Sequence, residues 1–177
     1  METLFLHVCC GPCAAYPLEH LRADRPDLKP ELWFYNPNIH PRVEFHRRRD
    51  SLAYFAVRSN LTVDFSPPYE ATNFLATLGS AISPPDRCRI CYAQRLAATA
   101  TEATRRGYRL FGSTLAFSRH QNQELLIEEG HRAAAAHDLE FYYEDWRPGW
   151  RRGHKIAREM GLYHQNYCGC IYSELER

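Results

Sequence analysis

No apolar run in this chain approaches the roughly 20 residues that a bilayer span requires. The Ala-rich stretch at residues 133–136 is far too short, so a soluble protein without a membrane partner is expected. Net charge is also missing: 22 Lys and Arg stand against 21 Asp and Glu, and the sequence pI is about 7.7. Whole-molecule charge therefore gives no pull toward nucleic acid or membrane, and any anion binding has to be local. Internal repeats, low-complexity tracts and linkers are absent, which leaves one domain for 177 residues. No Gly-rich loop of the P-loop or dinucleotide kind is present; Gly112-Ser113-Thr114 is too short a fragment of one. No signal peptide follows Met1-Glu2-Thr3, so a reducing, cytoplasmic compartment is expected.

Cysteine is what the chain has in quantity. Its seven thiols fall in three tight groups: Cys9, Cys10 and Cys13; Cys88 and Cys91; Cys168 and Cys170. Converging thiolates repel one another unless a cation or cluster neutralises them, or unless they pair as disulfides. The odd count and the expected reducing compartment argue against a disulfide scaffold. A structural zinc would take four ligands, Cys88 and Cys91 with Cys168 and Cys170 or with two of the first three, and would leave three thiols without a task. An iron-sulfur cluster also takes four, but the remainder then serves as a neighbouring redox couple or second-metal site, and this reading is favoured. Cys9 and Cys10 are consecutive, so only a turn lets both converge; Gly11-Pro12 supplies it. Cys168-Gly169-Cys170 could close a strained, redox-active disulfide or hold a metal with both thiolates.

Leu4-Phe5-Leu6-His7-Val8 has the near-continuous apolar character of a buried parallel strand and stops at Cys9. Helix formers follow over residues 14–24, with Pro17 expected in the first turn. Further strands are expected at 32–35, 61–65, 108–113 and 140–143, and helices over 42–60, 88–106, 121–137 and 152–160. Cys88 and Cys91 then lie one turn apart on one helix face. The alternation predicts a single three-layer α/β domain over residues 1–177 with a mostly parallel five-stranded sheet. Ligands of such sheets bind beyond the carboxyl ends of the strands, where the first cysteines stand.

Other groups carry weaker signals. Asn36 and Asn38 flank Pro37 and suit a turn as well as a ligand contact. His7 reads as a core histidine, and Arg47-Arg48-Arg49 as a solvated helix face. His120, Gln121, Asn122 and Gln123 follow an expected strand end, where polar groups either meet substrate or cap a helix. The run Trp146-Arg147-Pro148-Gly149-Trp150-Arg151-Arg152-Gly153-His154-Lys155 interleaves indoles with guanidinium groups, which suits stacking and phosphate contact with an RNA loop.

Four motifs together resemble the QueH family of epoxyqueuosine reductases: His7-Val8-Cys9-Cys10-Gly11-Pro12-Cys13, Phe34-Tyr35-Asn36-Pro37-Asn38-Ile39, Arg87-Cys88-Arg89-Ile90-Cys91-Tyr92 and Tyr167-Cys168-Gly169-Cys170-Ile171-Tyr172. Asp145-Trp146-Arg147 and Leu162-Tyr163 lie between them in the expected order. The resemblance implies a fold similar to adenine-nucleotide α-hydrolases (HUP-like) and the last step of queuosine biosynthesis. That step is the cobalamin-independent reductive removal of the epoxide oxygen from epoxyqueuosine in tRNA. It further implies a [4Fe-4S] cluster on Cys9, Cys10, Cys88 and Cys91, Cys168 and Cys170 as a redox-active pair, and Cys13 either on a second iron ion or dispensable. His120 departs from the Tyr expected before Gln121.

Such chemistry needs a reductant, a Lewis acid or proton donor at the oxygen, and a nucleoside pocket. Acid candidates are Tyr35, Asp145 and Tyr167; substrate-binding candidates are Asn36, Asn38, Gln121, Arg147, Trp150, Arg151 and Arg152. An electron donor, not named by the sequence, is expected as a partner. The rival from another class is a zinc-stabilised RNA-binding module without redox chemistry. A tRNA thiolation enzyme would need an ATP-pyrophosphate motif after the first strand, where Cys9 to Cys13 stand instead.

Overall fold

Leu4, Phe5, Leu6 and His7 are fully buried because their strand, β1 (Glu2–His7), is the centre of the sheet and is paired on both sides. The protein is seen here as a computed structural model that describes residues 1–176. With β2 (Leu28–Trp33), β3 (Val63–Asp64), β4 (Leu110–Ser113) and β5 (Glu140–Tyr142), β1 forms an all-parallel sheet in the order β3-β2-β1-β4-β5. The helices are α1 (Gly11–Asp24), α2 (Arg42–Arg58), α3 (Ala71–Leu78), α4 (Asp86–Arg105), α5 (Gln123–His137), α6 (Trp150–Glu159) and α7 (Ile171–Leu175). α1 packs against α2 and α6, and α4 against α5, giving helical layers on the sheet and the expected three-layer α/β architecture. No helix among the described residues is long and apolar enough to cross a membrane.

The elements differ from the sequence expectation mostly at their ends. α1 starts at Gly11 rather than residue 14, with Pro12 in its first turn, so Pro17 falls inside the helix and removes one backbone bond there. Gly11 is needed at that start: a Cβ would sit 2.9 Å from the Ser51 carbonyl oxygen. β2 begins earlier than expected because it pairs with β1 from Leu28 onward, whereas β3 shrinks to the two residues that reach β2. α3 and α7 were not expected; α3 buries only Phe74 and Leu78, one turn apart, too short a pattern to stand out.

Gly153 shapes what lies above the sheet. A Cβ there would come within 2.5 Å of the Phe117 ring, so glycine lets α6 close onto its neighbours and carry Trp150 and His154 to the carboxyl end of the sheet.

Candidate metal and redox centre

The strand order reverses between β1 and β4: β1 continues to β2 on one side and β4 to β5 on the other. That switch point is where open α/β sheets place their ligands. Cys9, Cys10 and Cys13 occupy it, all buried, with their Sγ atoms within 4.8 Å of one another. The Cys9 and Cys10 sulfurs are 3.8 Å apart. Two thiolates about 2.3 Å from a tetrahedral ion lie about 3.8 Å apart, so the triad is spaced to hold one metal ion. Thr114, just past β4, points its hydroxyl at Cys9 Sγ at 3.8 Å, and Gln165 Nε2 donates to Cys10 and Cys13 at 3.2 and 3.4 Å. Hydrogen bonds from Cys10 and Cys13 hold the Cys9 thiol well below its ordinary value. Burial pushes Cys10 up, and the bonds it and Cys9 make push Cys13 up.

The other four thiols share a second neighbourhood. Cys91 and Cys170 belong to one apolar cluster with Phe74 and Leu78. Burial, and then the nearby Cys168 thiol, raises Cys88; burial pushes Cys91 up to about 12 against the pull of Arg95, with Cys168 and Cys170 adding to the rise. Cys168 is exposed and Cys170 buried, and both are free thiols. Every thiol group stands at a helix start: Cys10 precedes α1, Cys88 is the third residue of α4, and Cys170 precedes α7. The partial positive charge of a helix N-terminus favours thiolate there.

A cavity of about 580 Å³ joins the two neighbourhoods. Cys9, Cys13, Cys88 and Cys168 reach it, and Tyr92, Arg95, Gln121, Trp150, His154, His164 and Tyr167 form much of its wall. Trp150 is packed by Phe117 at 5.2 Å and His154 at 4.2 Å between ring centroids, so it is a fixed wall. Tyr92 fixes Gln121: its hydroxyl donates to Gln121 Oε1 at 2.8 Å and accepts from the Asn122 amide at 3.1 Å, which leaves the Gln121 NH₂ group to face outward.

Besides the cysteines, the residues singled out from sequence that line this cavity include His120, Gln121, Asn122, Trp150 and Tyr167. Asn36 and Asn38 are buried behind it, Asn36 donating to the Val8 carbonyl at 2.9 Å. The Tyr35 ring stacks on Trp33 at 5.0 Å, away from the cavity lining. Asp145 is paired with Arg147 at 2.7 Å and Arg152 with Glu19 at 2.5 Å, both at the surface, while exposed Arg151 has no ion pair among the described residues. His7 is the expected core histidine: Nε2 donates to the Tyr35 carbonyl, Nδ1 meets Ser113, and burial lowers it to about 3. Arg48 is no solvated residue; it is 1% exposed and bound to Glu44. Arg48, Arg95 and Gln165 were missed. For Arg95 a signal existed, since it follows Cys88 and Cys91 at helical spacing.

Comparison with known proteins bears on this geometry. A family model described as epoxyqueuosine reductase QueH matches residues 4–176. The chain belongs to the QueH family. A Dehalococcoides mccartyi protein named epoxyqueuosine reductase QueH is 32% identical over 98% of this chain and 93% of its own length. A Thermotoga maritima protein of that name is 32% identical over 100% and 93%, and one from Acinetobacter baylyi 33% identical over 97% and 80%. QueH similarity therefore spans all three thiol groups as well as the sheet that gathers them.

Proposed function

We propose that the chain is an epoxyqueuosine reductase, removing the epoxide oxygen of epoxyqueuosine in tRNA as water with two electrons and two protons and without cobalamin. The observation that carries this reading is that all three thiol groups meet at one cavity of about 580 Å³, reached by Cys9, Cys13, Cys88 and Cys168, in a chain that the QueH family matches over residues 4–176. The reaction takes place in the cytoplasm, with electrons from a separate donor.

The donor set suits an iron-sulfur centre, which takes four thiolates. In the reading carried over from the family, Cys9, Cys10, Cys88 and Cys91 hold a [4Fe-4S] cluster, Cys13 a second iron, and Cys168 and Cys170 form a redox pair. The tight triad favours a second partition, with the cluster on Cys88, Cys91, Cys168 and Cys170 and a single iron on Cys9, Cys10 and Cys13. When bound, such a centre supplies electrons singly and a Lewis acid for the oxygen.

The protein's own groups do the rest. Gln121 offers oriented N–H donors to a nucleobase carbonyl. Among the acid candidates, Tyr167 lines the cavity, and burial pushes it up to about 12, so it holds its proton at neutral pH. Tyr35 and Asp145 stand outside the cavity wall. Trp150 bounds the nucleoside pocket, and Arg151, with Arg147 and Arg152 beside it, meets tRNA phosphates. Asn36 and Asn38 support the substrate from behind.

Anaerobically purified protein should be brown, contain iron and labile sulfide, and convert epoxyqueuosine to queuosine in tRNA with dithionite as reductant. Under the first partition Cys168→Ser and Cys170→Ser keep the cluster but lose turnover; under the second both bleach it. A colourless zinc protein that binds RNA without converting it would establish the non-redox rival.

A further inference from the structure

Arg95 lies one turn beyond Cys91 and two beyond Cys88 on α4, so the three share a helix face. It is 3% exposed. Its Nη2 donates to Asn36 Oδ1 at 2.6 Å, and its Nη1 points at Cys91 Sγ at 3.8 Å. Asn36 is itself held by the Val8 carbonyl at 2.9 Å, so the fork of the guanidinium is aimed. The buried arginines Arg48 and Arg87 each have a carboxylate at 2.7 Å. Arg95 has no ion pair among the described residues, and its Nε has no hydrogen-bond partner. A guanidinium does not give up its proton in proteins, and burying one without a counter-charge is costly. Yet Arg95 reaches the cavity alongside Cys9 and Cys88, with Cys91 Sγ next to its Nη1. An anion belongs beside it.

We propose that Arg95 is the counter-charge of an anionic, thiolate-bound redox centre and raises its reduction potential. The inference rests on the iron-sulfur reading above and deepens it. Each electron taken up makes a thiolate-ligated centre more negative, so a fixed cation at close range in a poorly solvated site stabilises the reduced form more than the oxidised one. Arg95 makes and breaks no bond. It is a positioning residue acting through charge, and Asn36 is the residue that aims it.

The test is a potentiometric titration of anaerobically reconstituted wild type, Arg95→Gln and Arg95→Lys, reading the cluster spectrum, with iron content and circular dichroism measured alongside. Arg95→Gln should hold wild-type iron while its reduced form becomes about tenfold less favoured, a midpoint about 59 mV more negative for one electron. Arg95→Lys, which keeps the charge, should stay near the wild-type midpoint. A fully loaded Arg95→Gln protein with an unmoved midpoint overturns the proposal, even if tRNA binding weakens, because the awaited anion is then a substrate phosphate. If Arg95→Gln cannot be loaded, Arg95→Lys decides: a wild-type midpoint supports a charge effect, and a tenfold shift overturns it. Wild type that takes up no iron overturns the iron-sulfur reading itself and this inference with it.

Discussion

Arg48 holds Cys168 in place by its backbone across 120 residues of sequence: Nη1 donates to the Cys168 carbonyl at 3.1 Å, and Nη2 to the Tyr167 carbonyl at 2.8 Å. Glu44, one helical turn back, fixes the guanidinium through Nε at 2.7 Å. The last two cysteines therefore hang from α2. Gly169 completes the arrangement, since its φ of +112° suits glycine and a Cβ would sit 3.1 Å from Arg48 Nη1.

Replacing Arg48 should release that segment. Among the described residues, Arg48→Met leaves the Glu44 carboxylate buried with only the Tyr163 hydroxyl as a partner, and removing one member of a buried pair costs about 3–5 kcal/mol. Faster hydrogen exchange across residues 166–170 and a lower unfolding midpoint are expected. Unchanged exchange there would show that the carbonyl contacts do not hold the segment.

Tyr92→Phe should loosen Gln121 without harming the fold. Two hydrogen bonds are lost, to Gln121 and from the Asn122 amide, each worth about 1 kcal/mol, while the ring stays buried. KM for the modified tRNA should rise severalfold with the cluster spectrum unaltered. Equal kinetics for mutant and wild type would remove Gln121 from substrate recognition.

Arg151 has no ion pair among the described residues, whereas Arg147 and Arg152 are already paired with Asp145 and Glu19. Arg151→Ala should therefore weaken tRNA binding more than Arg152→Ala, and should reduce the slope of log affinity against log salt by about one phosphate contact. Fluorescence anisotropy at several salt concentrations measures both; identical slopes would return Arg151 to the solvated surface.

At the edge of the sheet, Asp64 in β3 pairs with Arg106 beyond the end of α4. Partial burial opposes its ionisation, but the Arg106 hydrogen bond and the Ser66 amide win, leaving it below the ordinary carboxylate value. Because the folded value is the lower one, the unfolded chain binds more protons on acidification. The stabilisation is complete above the unfolded pKa near 3.9 and fades as pH falls through the folded value. Asp64 is only partly buried and water screens its pair with Arg106, so Asp64→Asn should cost about 1 kcal/mol or less at pH 7, about 2–4 °C in Tm. The difference from wild type should vanish in melts at acidic pH; a gap that persists there would point to packing instead of charge.

The sequence by itself determined the fold class and the kinds of chemistry available. The apolar run from Leu4 to Val8 has the character of a buried parallel strand, the alternation of strand and helix patterns argues for a mostly parallel sheet, and Cys88 with Cys91 share a helix face by spacing alone. Periodicity reports one face of one element; it does not say which faces meet. Only the tertiary structure decided that Cys91 packs with Cys170, that Asn36 stands behind the cavity while Gln121 faces it, and that Arg48 and Arg95 are buried where a run of charges suggested solvent or nothing. Those outcomes depend on contacts between residues as far apart as 48 and 168, whose energies are realised only after the sheet has brought its carboxyl ends together.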